Sequence, residues 1–287
     1  MNDQLLLGQN SMLVGAEVWS ATEQDAWSMD SSLGRLDSTS YFGDQPPAFE
    51  PRLHFLESQP EILSVPIFKK SVLSSVLLLQ FARRPEAVGT AEIWSRDARD
   101  ELALEAGYYS ELDRFQAITR FVSFPRGAGL PGLSWEERDV KIIAGLGSSP
   151  DFMRAAGARE VGLDVGLAIP ILPAGQELQA VLLLLSSSAA SLGQAFGVWR
   201  VTNGSSWACD ERVFTQHCDR DLAGKLINDA SPDLVAMVVA TGAPVVTELG
   251  SPDSLDLEGQ GQESISWAIA IPIWRNKTLQ SVATIYG

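Results

Sequence analysis

Cysteine and histidine are scarce in this chain of 287 residues, which contains two of each. Two cysteines cannot build a disulfide framework, so the composition is typical of a cytoplasmic protein and not of a small secreted one. Long apolar runs are also missing, because none approaches the roughly 18 residues of a membrane-spanning helix. The first residues, Met-Asn-Asp-Gln-Leu, lack the basic start and small-residue cleavage site of a signal peptide.

Basic residues are outnumbered: Lys and Arg total 21 against 36 Asp and Glu, which gives a formal net charge of −15. Because phosphate contacts need clustered Lys and Arg, this excess argues against a nucleic-acid-binding surface. Anionic membrane surfaces are disfavoured for the same reason. The acidic residues are spread along the chain without a block of like charges, so we interpret them mainly as a source of solubility.

Several catalytic signatures are absent as well. The chain has neither a P-loop nor Gly-x-Gly-x-x-Gly, and Gly-x-Ser-x-Gly does not occur. With histidine only at positions 54 and 217, a Ser-His-Asp arrangement has few ways to form. What remains is a chain that is 45% hydrophobic. It is long enough for two or three cores, since single cores rarely grow beyond about 250 to 300 residues.

Short phrases recur along the chain and indicate a repeated structural unit. An opening strand with an aromatic residue on one face is predicted at Glu17-Val18-Trp19, Glu92-Ile93-Trp94 and Gly197-Val198-Trp199. A closing hairpin is predicted around Pro66, Pro170 and Pro272. The closing phrases lie about 100 residues apart, but the distance from opening to closing phrase is much shorter in the first copy. We therefore predict a shortened unit over residues 1–85 and two full units over 86–188 and 189–287.

The segment 124–135, Phe-Pro-Arg-Gly-Ala-Gly-Leu-Pro-Gly-Leu-Ser-Trp, predicts a shaped turn, because its glycines can adopt positive φ and Pro131 fixes its own φ. A helix is predicted to start at Ser149-Pro150-Asp151 and to stop at Gly162. Beyond it, the apolar runs 165–172 and 180–185 predict a buried hairpin. In the last third, Asn203-Gly204 predicts a hairpin turn, and a helix is predicted to start at Ser231-Pro232-Asp233.

This run of motifs, from Phe124 through the hairpin, resembles the second half of a GAF domain, a small-molecule sensing module. Segment 234–246, a helix followed by Thr-Gly-x-Pro-Val-Val, is similar to GAF domains too. The resemblance covers residues 86–287 and implies an α+β, profilin-like fold of antiparallel sheets with helices. GAF domains usually carry long flanking helices, yet few residues separate the predicted units here. Either the units pack sheet to sheet, or one helix covers each sheet, or the repeat boundaries differ.

For the second unit, the resemblance implies a ligand pocket between the sheet and segment 110–135. The residues predicted to line it are Trp94, Tyr108, Phe124, Arg126, Trp135, Phe152 and Arg154. Apolar walls with a few orienting polar groups are typical of small-molecule sites. Arg126, beside the glycine-rich turn, could grip a carboxylate or phosphate in bidentate fashion. The alternative is that the aromatic residues are ordinary core and that Arg126 pairs with a carboxylate such as Asp113.

Cys209, His217 and Cys218 form the one cluster with catalytic or metal-binding character. The spacing of zinc signatures is absent, and the adjacent His217 and Cys218 cannot easily share a metal on a helix. A GAF-related class of enzymes reduces free methionine sulfoxide through cysteine thiols, so Cys209 and Cys218 define an alternative, redox function. Buried or incidental cysteines are the simpler interpretation.

The resemblance therefore predicts a non-catalytic sensing and signalling protein that binds an unidentified small molecule. Such a protein would pass a change of shape to a protein partner or across a homodimer. Two alternatives stay open: a thiol-dependent redox enzyme of the free methionine sulfoxide reductase kind, and a scaffold whose GAF-like units have lost their pockets. The sequence identifies neither the ligand nor a cofactor.

Overall fold

In a computed structural model of the chain, the structure describes residues 11–22, 26–34, 36, 38–43, 50–55, 61–70, 72–81, 88–173, 178–187, 192–202, 206–216, 218–249, 265–275 and 277–287. The predicted turn at Asn203-Gly204 and the side chain of His217 lie outside these ranges. Within these ranges, no helix has both the length and the apolar character needed to cross a membrane.

The strands of the described residues form three antiparallel sheets. The first contains β1 (Leu13–Ala21), β2 (Trp27–Gly34), β3 (Arg52–His54), β4 (Glu61–Lys69) and β5 (Val72–Phe81). The second contains β6 (Gly89–Arg96), β7 (Leu102–Tyr108), β8 (Ser123–Phe124), β9 (Lys141–Ala144), β10 (Leu163–Ile171) and β11 (Ala180–Ser187). The third contains β12 (Ala195–Thr202), β13 (Ser206–Phe214), β14 (Val245–Glu248), β15 (Trp267–Arg275) and β16 (Thr278–Tyr286). The strand orders of the three sheets are β2-β1-β5-β4-β3, β8-β7-β6-β11-β10-β9 and β13-β12-β16-β15-β14. These orders are equivalent, except that the second sheet has the additional short strand β8.

In the part of the chain that the structure describes, five helices accompany the sheets: α1 (Thr39–Phe42), α2 (Asp113–Thr119), α3 (Gly129–Glu137), α4 (Ala155–Val161) and α5 (Arg220–Thr241). The fold is thus α+β with antiparallel sheets, as predicted. The predicted buried hairpin is β10 and β11, which pair along their length. Gly162 ends α4 with a left-handed backbone at φ 75°, as the sequence indicated.

Three local predictions need correction. Helix α4 begins at Ala155 and not after Pro150, because Phe152 and Arg154 leave the helical path and are buried against the sheet. Helix α3 begins inside the glycine-rich stretch, so Trp135 is helical. Helix α5 begins at Arg220, far before Ser231, and contains Pro232. The helix continues through this proline, whose missing N–H normally weakens a helix, while Ser231 donates to the carbonyl of Ile227 and contacts Tyr286 Oη.

One face of every sheet contributes to a single shared apolar core. Successive side chains of a strand point to opposite faces, so Ala91 and Ile93 of β6 enter this core while Glu92 and Trp94 point outward. The sheets therefore pack against one another, which is one of the arrangements expected from the short connections. Helices α2 to α4 cover the outer face of the second sheet, and α5 covers that of the third.

The three sheets close into a ring through strands at or next to their edges. Strand β3 meets β7, β9 meets β13, and β14 meets β2, so each sheet uses the same edge against the next one. Such head-to-tail contacts close when three copies turn through a full circle. At one end of the ring Pro66, Pro170 and Pro272 line a shared cavity of about 20 Å³, which is room for roughly one water molecule.

Candidate functional site

Strand β6 places two outward side chains, Glu92 and Trp94, at the centre of the second sheet. Both are completely buried. The indole Nε1 of Trp94 donates to Glu92 Oε2 at 2.9 Å. A carboxylate removed from water needs such donors, because an uncompensated buried charge is costly.

Arg154, in the turn before α4, supplies the balancing charge. Its Nη1 and Nη2 donate to Glu92 Oε1 and Oε2 at 2.7 and 2.8 Å, a bidentate pair, and Nη1 also donates to Thr119 Oγ1 at 2.8 Å. The two side chains are 2% and 0% exposed. Planar guanidinium groups suit this two-point contact with a carboxylate.

Four aromatic rings surround the Arg154 guanidinium. Its carbon lies 4.8 Å from the ring centroid of Phe115, 5.3 Å from Phe152, 5.5 Å from Trp94 and 5.9 Å from Phe124. The rings of Trp94 and Phe124 also meet edge to face at 4.7 Å. Cation–π attraction from desolvated rings stabilises the buried cation. We call Glu92, Arg154, Thr119 and these four rings the Arg154 cluster.

Two buried polar atoms lie beside the charged pair of the Arg154 cluster, Arg154 Nε and Tyr109 Oη. Within the described ranges, Arg154 Nε forms no hydrogen bond. Tyr109 Oη lies within interaction range of Glu92 and Thr119. Burial, together with the negative charge of Glu92, raises the pKa of Tyr109 far above its ordinary value, so its hydroxyl stays protonated. Unsatisfied buried groups are rare in native proteins and call for an explanation.

The glycine-rich turn and α3 form part of the cover over the cluster. Gly129 has a φ of 63°, and a Cβ there would lie 2.7 Å from Phe124 Cδ1, so the close approach of the turn to Phe124 requires glycine. Helix α3 then buries Leu130 and Trp135 in the same apolar cluster as Trp94. Trp135 is 7% exposed, which leaves the cluster closed to solvent on this side.

The structure brings together four of the seven predicted site residues: Trp94, Phe124, Phe152 and Arg154. Trp135 belongs to the same apolar cluster, but its ring faces Arg96 at 5.8 Å. Arg126 is exposed at the surface, so the buried guanidinium is that of Arg154.

Tyr108 lies on the opposite face of the sheet, where its ring stacks on Phe81 at 5.3 Å. The reason is a β-bulge in β7, where Trp94 pairs with Leu104 but Ile93 pairs with Ala106. One extra residue reverses the alternation of faces, so that Leu104 points outward and Tyr108 inward. The outward tyrosine is therefore Tyr109.

The sequence interpretation missed Glu92, Tyr109, Phe115 and Thr119. A signal for Glu92 was present, because it stands two residues before Trp94 in the recurring opening phrase and must share its face. A charged residue on the buried face of a central strand indicates a partner of opposite charge. Its partner, Arg154, is 62 residues away and could not be paired with it from spacing.

The two cysteines are free thiols in different surroundings. Cys209 on β13 is half-buried, and its Sγ lies 3.3 Å from the carbonyl oxygen of Glu211. Burial, aided by the charge of Asp219, raises the pKa of Cys218 to about 11. Since the thiolate is the nucleophile, Cys218 is poorly prepared for thiol chemistry at neutral pH.

No family model matches the chain, and no curated protein does. Solved structures similar to it include a GAF domain from A. aeolicus in an inactive state, with 18% identity over 34% of this chain and 57% of that one, at a TM-score of 0.28. A free methionine-R-sulfoxide reductase from Neisseria meningitidis shares 18% identity over 35% of this chain and 53% of that one, at a TM-score of 0.28.

A NreA protein from Staphylococcus aureus, mutated in its nitrate-binding site, shares 14% identity over 42% of this chain and 83% of that one, at a TM-score of 0.30. The chain spans little more than half the length of the first two structures. At these identities and TM-scores the matches carry no information on ligand or activity. The structures to which this chain is similar thus include GAF domains, the family that its central motif resembles.

Proposed function

We propose that this protein is a non-catalytic sensor that binds a small molecule at the Arg154 cluster. The observation that supports it is the buried Glu92–Arg154 pair, in which Arg154 Nε has no hydrogen-bond partner within the described residues. Replacing a buried ion pair by apolar residues is often neutral or stabilising, so a fully buried pair is weak evidence for a role in stability alone. Recognition of a polar ligand would account for the burial of this ion pair.

The chemistry of the pair restricts the ligand. A ligand that separates Glu92 from Arg154 must supply a positive group to the first and a negative group to the second, or it leaves a buried charge unpaired. A zwitterion with an ammonium and a carboxylate group meets both needs. The apolar part of the zwitterion would lie among Phe115, Phe124 and Phe152. Arg154 Nε and Tyr109 Oη would donate hydrogen bonds to its carboxylate.

Entry of a ligand requires the cover to move, because Trp94 and Trp135 close the cluster in this structure. The cover consists of short helices of 7, 9 and 7 residues. Short helices are individually weak and take most of their stability from tertiary contacts. A displacement of the cover would be the change of shape that passes to a protein partner or across a homodimer.

The chain organisation proposed with this function is a shortened GAF-like unit over residues 1–85 and two full GAF-like domains over 86–188 and 189–287. The shared strand order and the repeated β-bulge next to Trp19, Trp94 and Trp199 support it. So does the difference in covers, since α1 has four residues while α5 has 22. The scarcity of cysteine supports a cytoplasmic location.

A thermal-shift screen tests the proposed ligand class. Free amino acids and other zwitterions should raise the melting temperature at concentrations above their Kd, because they bind only the folded state. Matched anions and amines that carry one of the two charges should give smaller shifts. The shift should disappear in Glu92→Gln and persist in Arg126→Ala, which changes an exposed arginine of the glycine-rich turn.

A pocketless scaffold is the second candidate, and the packing of Trp94 and Trp135 favours it. In that case, no zwitterion changes the melting temperature of the wild-type protein. Glu92→Gln then alters stability only. A shift that Glu92→Gln retains would place the binding site elsewhere in the chain.

A further inference from the structure

Asp139, directly after α3, connects the second sheet to the third. Its side chain is 9% exposed. It accepts hydrogen bonds from Arg200 Nε at 3.0 Å and from Ser281 Oγ, which belong to β12 and β16 of the third sheet. It also accepts the backbone N–H of Val140 at 2.8 Å. Asp139 is therefore a buried junction between two sheets.

The same residue holds the end of α3. Ser134 Oγ in the last turn donates to the carbonyl oxygen of Asp139 at 2.8 Å, and Arg138 between them ends the helix in a left-handed backbone at φ 55°. Ser134 is adjacent to Trp135, which packs in the same apolar cluster as the rings of the Arg154 cluster. A continuous chain of contacts thus runs from the third sheet through Asp139 to the cover of the candidate site.

We infer that Asp139 is a positioning residue through which the third sheet holds α3, and with it Trp135, over the candidate site. The functional consequence rests on the proposed small-molecule site. We call the contacts of Asp139 with Arg200 and Ser281 the Asp139 seam. Opening of the cover would strain or break this seam, so ligand occupancy of the site and formation of the seam are coupled. By linkage, whatever binds the third sheet at this seam would change ligand affinity by the same factor.

A second seam offers a matched comparison. Lys69 at the end of β4 donates to the carbonyl oxygen of Thr241 at the end of α5, at 2.7 Å, and lies 5.7 Å from the ring centroid of Trp274. Here too a side chain of the next sheet reaches the junction between a helix and an edge strand. This seam joins the third sheet to the first and has no contact with α3 through these residues.

Hydrogen exchange of the ligand-free protein tests the coupling. Asp139→Asn and Ser281→Ala should each raise exchange of the α3 amides, residues 129–137, by about tenfold, because local opening of the helix becomes easier. Lys69→Met should leave α3 unchanged and affect the end of α5. Ser281→Ala removes a single hydroxyl and keeps the Arg200 pair, so it remains informative if Asp139→Asn does not fold.

Unchanged protection of α3 in a folded Ser281→Ala and Asp139→Asn protein would overturn the inference. An equal loss of protection in Lys69→Met would overturn it as well, because the effect would then be global. The measurement needs no ligand, so its failure is distinguishable from a failure of the thermal-shift screen. If a zwitterion binds, Ser281→Ala should change its Kd, whereas Lys69→Met should not.

Discussion

The outer faces of the second and third sheets start from the same geometry and differ in chemistry. Glu92 and Trp94 pair with Leu183 and Val181, and the corresponding Gly197 and Trp199 pair with Thr284 and Val282. At the third sheet a glycine replaces the carboxylate, and a Cβ there would lie 2.7 Å from Thr284 Oγ1. The side chain of Trp199 interacts with the hydroxyl of Tyr286 and not with a buried carboxylate. The scaffold is shared, but the charged centre belongs to the second sheet.

The first sheet is intermediate between these two. Glu17 is 1% exposed and accepts hydrogen bonds from Trp19 Nε1 at 3.0 Å and from the backbone N–H and the hydroxyl of Ser38. The first sheet thus has a buried carboxylate, Glu17, at the position of Glu92. Its partner beside the tryptophan is Ser38, whereas that of Glu92 is Arg154. Equivalent positions of the repeated fold therefore carry different polar partners in the first and second sheets.

The largest expected effect tests whether the second sheet depends on its cation. Arg154→Met leaves Glu92 buried without a counter-charge, so the free energy of unfolding should fall by about 3 to 5 kcal/mol. Urea unfolding at neutral pH measures it. Arg126→Ala, an exposed change nearby, should stay within about 0.5 kcal/mol of the wild type. An equally small effect of Arg154→Met would show that the pair is not energetically coupled to the fold.

The next effect compares the three tryptophans by a common substitution. Trp19→Phe, Trp94→Phe and Trp199→Phe remove the same ring volume, but the first two also remove a hydrogen bond to a buried carboxylate. They should therefore cost about 1 to 3 kcal/mol more than Trp199→Phe. Chemical denaturation of the three variants in parallel gives these differences. Three equal losses would mean that the carboxylates take replacement donors and that the sheets differ less than the contacts indicate.

The smallest effect concerns Glu211 on β13, a half-buried carboxylate of the third sheet. Burial raises the pKa of Glu211 above its ordinary value, against the opposing charges of Arg200 and Lys141. The native state then binds this proton more tightly than the unfolded state does. Protonation of Glu211 therefore favours the folded state. This contribution to the free energy of unfolding is fully present below the unfolded pKa of about 4.3, and it is lost as the pH rises through the native pKa.

Glu211→Gln should therefore be more stable than the wild type at neutral pH, and the difference should shrink as the pH falls toward 4. Urea unfolding across this pH range measures the trend. Glu111→Gln, an exposed change, provides the control and should follow the wild-type profile. A Glu211→Gln protein that is less stable at neutral pH would indicate that the carboxylate is held mainly by Arg200 and Lys141.

Local patterns predicted much of the secondary structure. The apolar runs gave the β10 and β11 hairpin, and Gly162 gave the end of α4, because these features depend on neighbouring residues alone. Helix α5 was predicted to begin too late, since Pro232 is a common start signal. Ala223 and Ile227 are buried against the third sheet, and this contact stabilises the first turns of α5. The contact joins residues that are far apart in the sequence, so a local pattern does not reveal it.

By itself, the sequence determined the alternation of faces in each strand, the recurrence of the opening and closing phrases, and the apolar composition of the candidate site. Tertiary structure decided which residues meet. It placed Arg154 on Glu92, turned Tyr108 inward through a one-residue bulge, and joined the three sheets into a ring. The physical reason is range: periodicity and turn chemistry act over a few residues, whereas charge pairing and sheet contacts join residues that are far apart in the chain.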